Sequence, residues 1–180
     1  MIGGIKMGMN HMNLEGMKTF LEEVRGDYSK AKKSKKVECS WNFDEGKPQI
    51  ESKVQHPKGE TILRSDFAPF MGGEGLAPDP IQYCLFGLAA CFAGTFMATA
   101  TMMEIKVDDL RVSAENFTDL SKTLGLTNNP IVEKAKIFIT VKSDAKEEQL
   151  RELERLAHER CPGVYCLVNP IVLETELVRK

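Results

Sequence analysis

The sequence predicts an α+β fold, because its predicted helices and strands are grouped rather than strictly alternating. The predicted order is one helix, three strands, a long helix, two strands, a helix and a last strand. Apolar residues recur every three to four positions in the helical segments and at every second position in the strands. A chain of 180 residues is long enough to form one domain with its own hydrophobic core.

The first part of the chain predicts a helix followed by a three-stranded meander. Apolar residues at helical spacing predict an amphipathic helix over about residues 13–30. Strand-like alternation follows at residues 37–43. Two further strands, around residues 48–56 and 60–65, flank the turn signal Pro57-Lys58-Gly59.

A long central helix is predicted in the run between Asp79 and Glu104, which contains no charged residue. Asp79 is a suitable N-cap, Pro80 suits the first helical position, and Gln82 follows three residues after the cap. By length alone this run could span a bilayer. Its threonines, glycines and alanines make it only moderately hydrophobic, and its ends show no basic asymmetry. We therefore predict a buried helix and no membrane partner.

The second part of the chain predicts two strands, a helix and a final strand. Alternating residues at Lys106–Glu115 and Lys134–Lys142 predict the two strands. An amphipathic helix is predicted over about residues 146–160, ended by Pro162-Gly163. Alternation from Ile171 to Val178 predicts a last strand.

Charge and cysteine usage exclude several classes of function. The formal net charge is -2, and the one basic cluster, at Lys32–Lys36, has no interleaved aromatic residues, so no nucleic-acid partner is expected. Five cysteines form no Cys-x-x-Cys pair and are accompanied by only three histidines, so no metal site is expected. The odd cysteine number and the lack of an apolar leader core predict a cytoplasmic protein.

Cys91 lies on a stripe of small side chains along the central helix. Its members are Cys84, Gly87, Cys91, Gly94 and Ala98. Two interpretations of Cys91 stay open at this point: a small buried residue that lets another backbone come close, or a reactive thiol. Cys84 is about 10 Å away along the helix, which is too far for a disulfide. Cys161, which is followed directly by a proline, is the second candidate thiol.

The order of motifs resembles a known family. The stretch from Phe70 to Phe92 contains a Gly-Gly loop, a Pro-x-Pro helix start and a helix leading to Ala-Ala-Cys91, and His158-Glu-Arg-Cys161-Pro162 follows downstream. This arrangement resembles osmotically inducible protein C (OsmC) and the organic hydroperoxide resistance proteins. We expect residues 36–180 to form an OsmC-like domain and residues 1–35 to form an N-terminal extension with an amphipathic helix.

The resemblance implies a fold, an activity and a set of partners. The fold would have antiparallel sheets around long central helices, in an intertwined homodimer with its sites at the interface. The activity would be a peroxiredoxin-like defence against oxidative stress without cofactor: Cys91 attacks an organic hydroperoxide and Cys161 resolves the sulfenic acid as a disulfide. A dithiol reductant would then restore both thiols.

Two residues that the resemblance leads us to expect beside Cys91 are replaced. Peroxidatic relatives carry an arginine in the first hairpin and a glutamate at the helix start, where this chain has Asp44-Glu45-Gly46 and Ile81. Cys91 also lies too far from the helix start for the helix dipole to lower its pKa. Arg64 and Arg160 are therefore the candidate thiolate-activating residues. The alternative hypothesis is a non-catalytic dimeric protein that binds a small hydrophobic ligand.

Overall fold

A computed structural model describes residues 8–179 of the chain. Two compact units are present. The core unit contains the described residues up to Met17 and those from Gly87 onward, and the meander unit contains Lys18–Phe86. Helices and antiparallel strands make up both units, which confirms the predicted α+β class.

The meander unit contains the predicted three-stranded antiparallel sheet, in the order β1-β2-β3. Its strands are β1 (Cys39–Trp41), β2 (Ile50–His56) and β3 (Gly59–Ser65), and helix α1 (Leu14–Gly26) precedes them. Strand β1 is shorter than predicted. The side chain of Asn42 accepts a hydrogen bond from the backbone N–H of Asp44 at 3.1 Å, and this turn ends the strand.

A buried carboxylate holds the glycine-rich loop that follows β3. Asp66 is 1% exposed and accepts hydrogen bonds from the backbone N–H groups of Leu76 at 2.9 Å and Glu74 at 3.1 Å. These hydrogen bonds, the one from Leu76 first, hold the pKa of Asp66 below its usual range. Gly73 packs so closely on Phe67 that a Cβ atom would lie 1.9 Å from the Phe67 carbonyl oxygen. The loop therefore requires glycine at this position.

Helix α2 (Pro80–Met102) begins where the sequence predicts. The carboxylate of Asp79 accepts from the N–H of Gln82 at 2.8 Å, and the Gln82 side chain accepts from the N–H of Asp79 at 2.9 Å. By length and composition α2 could cross a membrane, which is weak evidence because the core helix of a soluble protein passes the same test. In the most apolar stretch of α2, 33% is buried within the chain.

The hydrophobic core of the core unit joins α2 to helix α3 (Glu147–Arg160). Both helices contribute rows of side chains spaced four residues apart, so each row lies on one helix face. The row on α2 is Leu88, Phe92, Phe96 and Ala100, and the row continuing from α3 is Leu153, Ala157 and Cys161.

A two-stranded antiparallel hairpin covers one side of this core. Its strands are β4 (Asp109–Thr118) and β5 (Val132–Lys142), with Val112 opposite Ile139. Alternate residues of both strands pack against the core, which confirms the period of two in the sequence. The contacting side chains are Leu110, Val112, Ala114, Ile137, Ile139 and Val141.

The end of the chain differs from the prediction at two places. Pro162-Gly163 does not simply end α3. Pro162 begins a further helix, α4 (Pro162–Val168), because its fixed φ angle and missing N–H suit a first helical position. The predicted strand at Ile171–Val178 is wrong: residues 169–179 form neither helix nor strand. No described strand pairs with this segment, and alternation alone does not make a strand without a partner.

Asn10 connects the segment before α1 to the end of α2. Its side-chain amide donates to the Thr101 hydroxyl at 3.1 Å and to the Ile105 carbonyl at 2.8 Å. Its side-chain oxygen accepts from the Val107 N–H at 2.9 Å. Asn10 has a φ of 60°, a conformation that asparagine tolerates better than most residues. Three hydrogen bonds thus connect this segment to the end of α2 and to the residues that follow it.

We predict that Asn10→Ala lowers the free energy of unfolding by about 1–3 kcal/mol, because the Val107 N–H and the Ile105 carbonyl lose their side-chain partner. Urea denaturation followed by circular dichroism measures the change. Asn129→Ala is the matched control, since the Asn129 side chain makes one exposed hydrogen bond, to Asp119. Equal losses of unfolding free energy in the two variants would contradict a stabilising role of the Asn10 hydrogen bonds.

Candidate functional site

The structure places the two predicted thiols, Cys91 and Cys161, in one core cluster, where Cys161 contributes to a raised pKa of Cys91. Cys91 is half-buried on α2, one turn after Leu88. Cys161 is 0% exposed and lies between α3 and α4, at the end of the row of apolar side chains that packs on α2. Helix packing therefore places two residues that are far apart in the sequence side by side.

Gly163 forms the wall of the site next to Cys91. A Cβ atom at position 163 would lie 3.3 Å from the Cβ and 3.6 Å from the Sγ of Cys91, and 3.5 Å from Leu88 Cδ1. The backbone N–H of Gly163 also faces the Cys91 thiol closely enough to favour its charged form. The missing side chain at position 163 therefore lets the first turn of α4 approach α2 closely.

Burial controls the ionisation of Cys91. Removal of the thiolate from water raises the pKa of Cys91 above its usual value, and this is the largest influence. The N–H of Gly163 lowers the pKa, whereas the neighbouring Cys161 and Cys166 raise it further. None of these influences, which come from the described part of the chain, is a cationic side chain. The surroundings of Cys91 therefore favour the protonated thiol over the thiolate.

The two candidate activating arginines have other partners. Arg64 lies in β3 of the meander unit, and its Nε donates to the Glu51 carboxylate at 3.0 Å. Arg160 is exposed at the end of α3, and its charge helps to lower the pKa of Glu152, after the larger effect of Arg155. The proposed role of Arg64 and Arg160 at Cys91 stays a prediction.

Cys166 is a third thiol near the site, and the sequence alone did not identify it. It is exposed on α4, and its charge contributes to the raised pKa of Cys91. Because Pro162-Gly163 is interpreted as the end of a helix, the sequence analysis does not predict the helix that contains Cys166. The available signal was a proline at a first helical position and, after Gly163, a run of five residues without another helix breaker.

A largely apolar pocket of about 660 Å³ lies in the core unit, and its lining includes Leu88, one turn before Cys91, but neither thiol. Leu88, Phe92, Ile137, Ile139 and Val164 contribute to its lining. Charged and polar side chains also border the pocket; they are Lys136, Arg151, Glu154, Arg155 and His158. The pocket has room for a small apolar molecule. In the described residues, no group of three or more His, Cys, Asp or Glu side chains could hold a metal ion.

The fold is that of a small α+β protein in which antiparallel strands pack on a helical core. A family model described as OsmC-like protein matches residues 73–176, more than half of the chain. The chain therefore belongs to the OsmC-like family, as its sequence motifs predict. A comparison with curated proteins gives no significant match.

Solved structures share the fold at low sequence identity. A putative osmotic stress induced and detoxification response protein from Psychrobacter arcticus 273-4 superposes with a TM-score of 0.58 at 16% identity, over 77% of this chain and 91% of that one. An organic hydroperoxide resistance protein OsmC from Legionella pneumophila has a TM-score of 0.53 at 21% identity, over 76% and 92%. A putative organic hydroperoxide resistance protein from Vibrio cholerae, with captopril bound in one of its active sites, has a TM-score of 0.51 at 17% identity, over 76% and 87%.

We predict that alkylation of Cys91 by iodoacetamide accelerates with pH beyond about 8.5, the usual thiol pKa, because only the thiolate reacts and burial raises the pKa of Cys91. Mass spectrometry of the labelled peptides measures the rate at each pH, and the exposed Cys39 serves as the internal comparison. A Cys91 rate that is already constant at pH 7 would show a lowered pKa and contradict this prediction.

Proposed function

We propose that this protein is a thiol-dependent peroxidase that reduces organic hydroperoxides through Cys91 and Cys161. The observation that carries the proposal is the placement of the two thiols in one core cluster: Cys91 is half-buried on α2, and Cys161 is wholly buried after α3, two residues before the Gly163 that packs on Cys91. Two of the structures with the same fold are described as hydroperoxide resistance proteins, one of them putative. This description supports the choice of oxidant.

The reaction needs only the two cysteines and a dithiol reductant. The Cys91 thiolate attacks the hydroperoxide, the O–O bond breaks, and the alcohol leaves after taking up a proton, so that Cys91 becomes a sulfenic acid. The Cys161 sulfur then attacks the Cys91 sulfur, which releases water and forms the disulfide. Two exchange steps with a dithiol return both cysteines to thiols. The burial of Cys161 protects this thiol from direct oxidation.

The apolar pocket favours an organic hydroperoxide over hydrogen peroxide. Leu88 and Val164 line the pocket and also flank the thiols, since Leu88 contacts position 163 and Val164 follows it. An apolar substituent in this space would bring its peroxide group towards Cys91. We place the protein in the cytoplasm, where thiols stay reduced.

A second candidate function is the binding of a small hydrophobic ligand without turnover. The raised pKa of Cys91, together with influences that include no cation, favours this alternative. The same apolar pocket would be the binding site. In that case Cys91→Ser keeps the ligand affinity, and the wild type shows no peroxidase turnover.

We further propose that two copies of the chain form a homodimer. Three small residues on one face of α2 are exposed: Gly87, Ala90 and Gly94. No other described atom lies within 4 Å of a Cβ placed at either glycine. Large apolar side chains of the C-terminal segment are also exposed, among them Leu173 at 85% and Leu177 at 98%. Apolar surface of this extent is typical of a subunit interface.

We predict that one equivalent of cumene hydroperoxide oxidises the reduced wild-type protein to a Cys91–Cys161 disulfide, detected by mass spectrometry of non-reduced peptides. Cys91→Ser should abolish hydroperoxide consumption, because the attacking sulfur is missing. Cys39→Ser is the matched control and should behave as the wild type, since Cys39 is an exposed thiol of the meander unit. An unreacted Cys91 without this disulfide would refute the peroxidase proposal.

We predict that the wild type elutes as a dimer in size-exclusion chromatography with light scattering, and that Gly94→Leu shifts it to the monomer. Position 94 has open space within one chain, so a leucine fits there unless a second copy packs on it. Gly26→Leu is the control, because Gly26 also has open space and lies at the end of α1. A Gly94→Leu variant that remains a dimer would exclude the face of α2 formed by Gly87, Ala90 and Gly94 as the dimer interface.

A further inference from the structure

The three thiols of the core unit differ sharply in their access to solvent. Cys161 is 0% exposed, Cys91 is half-buried, and Cys166 is exposed. Thiol–disulfide exchange requires the attacking thiolate to reach one of the two sulfurs. In a disulfide between Cys91 and Cys161, an external reductant therefore cannot reach the Cys161 sulfur and has only partial access to the Cys91 sulfur.

The geometry of α4 places Cys166 close to this disulfide. A Cβ at Gly163 would lie 3.3 Å from the Cys91 Cβ, so the first turn of α4 touches Cys91. Cys166 follows Gly163 by three residues, and helix positions three apart have their Cβ atoms roughly 5–6 Å from each other on one face. The influence of Cys166 on the pKa of Cys91 agrees with this proximity.

Helix α4 is a short element whose last turn is exposed. It has 7 residues, and an isolated helix of that length is marginal in water. Leu167 and Val168 are 60% and 64% exposed, and residues 169–179, which follow, form neither helix nor strand. A local opening of α4 next to Pro162 would bring the Cys166 sulfur to Cys91. A bond between Cys161 and Cys166 fits less well, since five helical residues span about 7.5 Å along the axis.

We propose that Cys166 is a second resolving thiol, which takes the disulfide from the buried Cys161 and carries it to the surface for reduction. This inference rests on the proposed peroxidase function. The Cys166 thiolate attacks the Cys91 sulfur, the bond between Cys91 and Cys161 breaks, and the electron pair leaves with Cys161, which takes up the proton that Cys166 lost. No net oxidation occurs in this step.

The new disulfide between Cys91 and Cys166 has one sulfur in solvent. A dithiol attacks the Cys166 sulfur, and the Cys91 thiolate leaves. The second thiol of the reductant then displaces Cys166 and closes the reductant's own disulfide. Both cysteines return to thiols, and the reductant ends as a disulfide. The two electrons that reduced the hydroperoxide thus come from the dithiol.

The first test compares the wild type with Cys166→Ser, and uses Cys39→Ser as the matched control. Each protein is oxidised by one equivalent of cumene hydroperoxide or by diamide, trapped with N-ethylmaleimide in acid, and mapped by mass spectrometry. The wild type and the control should contain both the Cys91–Cys161 and the Cys91–Cys166 disulfide. The Cys166→Ser protein should contain only the Cys91–Cys161 disulfide. Dithiothreitol should reduce this protein at least roughly tenfold more slowly than the oxidised wild type.

The second test removes Cys161. In Cys161→Ser, after circular dichroism has confirmed folding, Cys166 should resolve Cys91 alone and form the Cys91–Cys166 disulfide. In the double variant Cys161→Ser/Cys166→Ser, excess hydroperoxide should drive Cys91 to the sulfinic acid, because no resolving thiol is left. The Cys166→Ser protein retains Cys161 and should escape this overoxidation.

Two results would overturn the role of Cys166. One is the absence of a Cys91–Cys166 disulfide after both oxidants in the wild type. The other is an equal rate of reduction in the wild type and in Cys166→Ser. Diamide oxidises thiols without peroxidase chemistry, so the diamide samples decide the role of Cys166 even where Cys91 fails to react with hydroperoxide. That failure would refute the peroxidase proposal alone.

Discussion

The packing of α3 on α2 is the interaction on which the thiol site depends. Rows of side chains four residues apart on the two helices share one core cluster, in which Ala157 is 0% exposed. Cys161 ends the row that continues from α3, so its depth and direction follow from this packing. Removing a large side chain from such a core costs about 2–5 kcal/mol.

Local signals in the sequence predict most of the elements but not all of their ends. The reciprocal hydrogen bonds of Asp79 and Gln82 are a purely local motif, which explains why the start of α2 is predicted correctly. The strand proposed at Ile171–Val178 depended instead on a partner strand, and alternation carries no information about one. Pro162 is compatible both with the end of one helix and with the first turn of another. In the folded chain Pro162 begins α4, and the first turn of α4 packs on Cys91.

The candidate site was predictable to the extent that a family resemblance pairs Cys91 with Cys161. The residues that shape the site were not, because Gly163 and Cys166 act through tertiary proximity rather than through a motif. The electrostatics also differ from the expectation of an activated thiolate. Packing against apolar side chains stabilises the uncharged thiol and penalises the charged form, so the contacts that position Cys91 also raise its pKa.

The complete burial of Cys161 gives the protein a built-in reporter of its own fluctuations. A thiol reagent reaches this sulfur only in molecules in which the surrounding helices have moved apart, just as solvent deuterium reaches a protected amide only during an opening event. When closing is faster than labelling, the rate of Cys161 modification therefore measures the free energy of opening. Comparing that value with the free energy of global unfolding would show whether α4 opens as an independent unit or only together with the whole core.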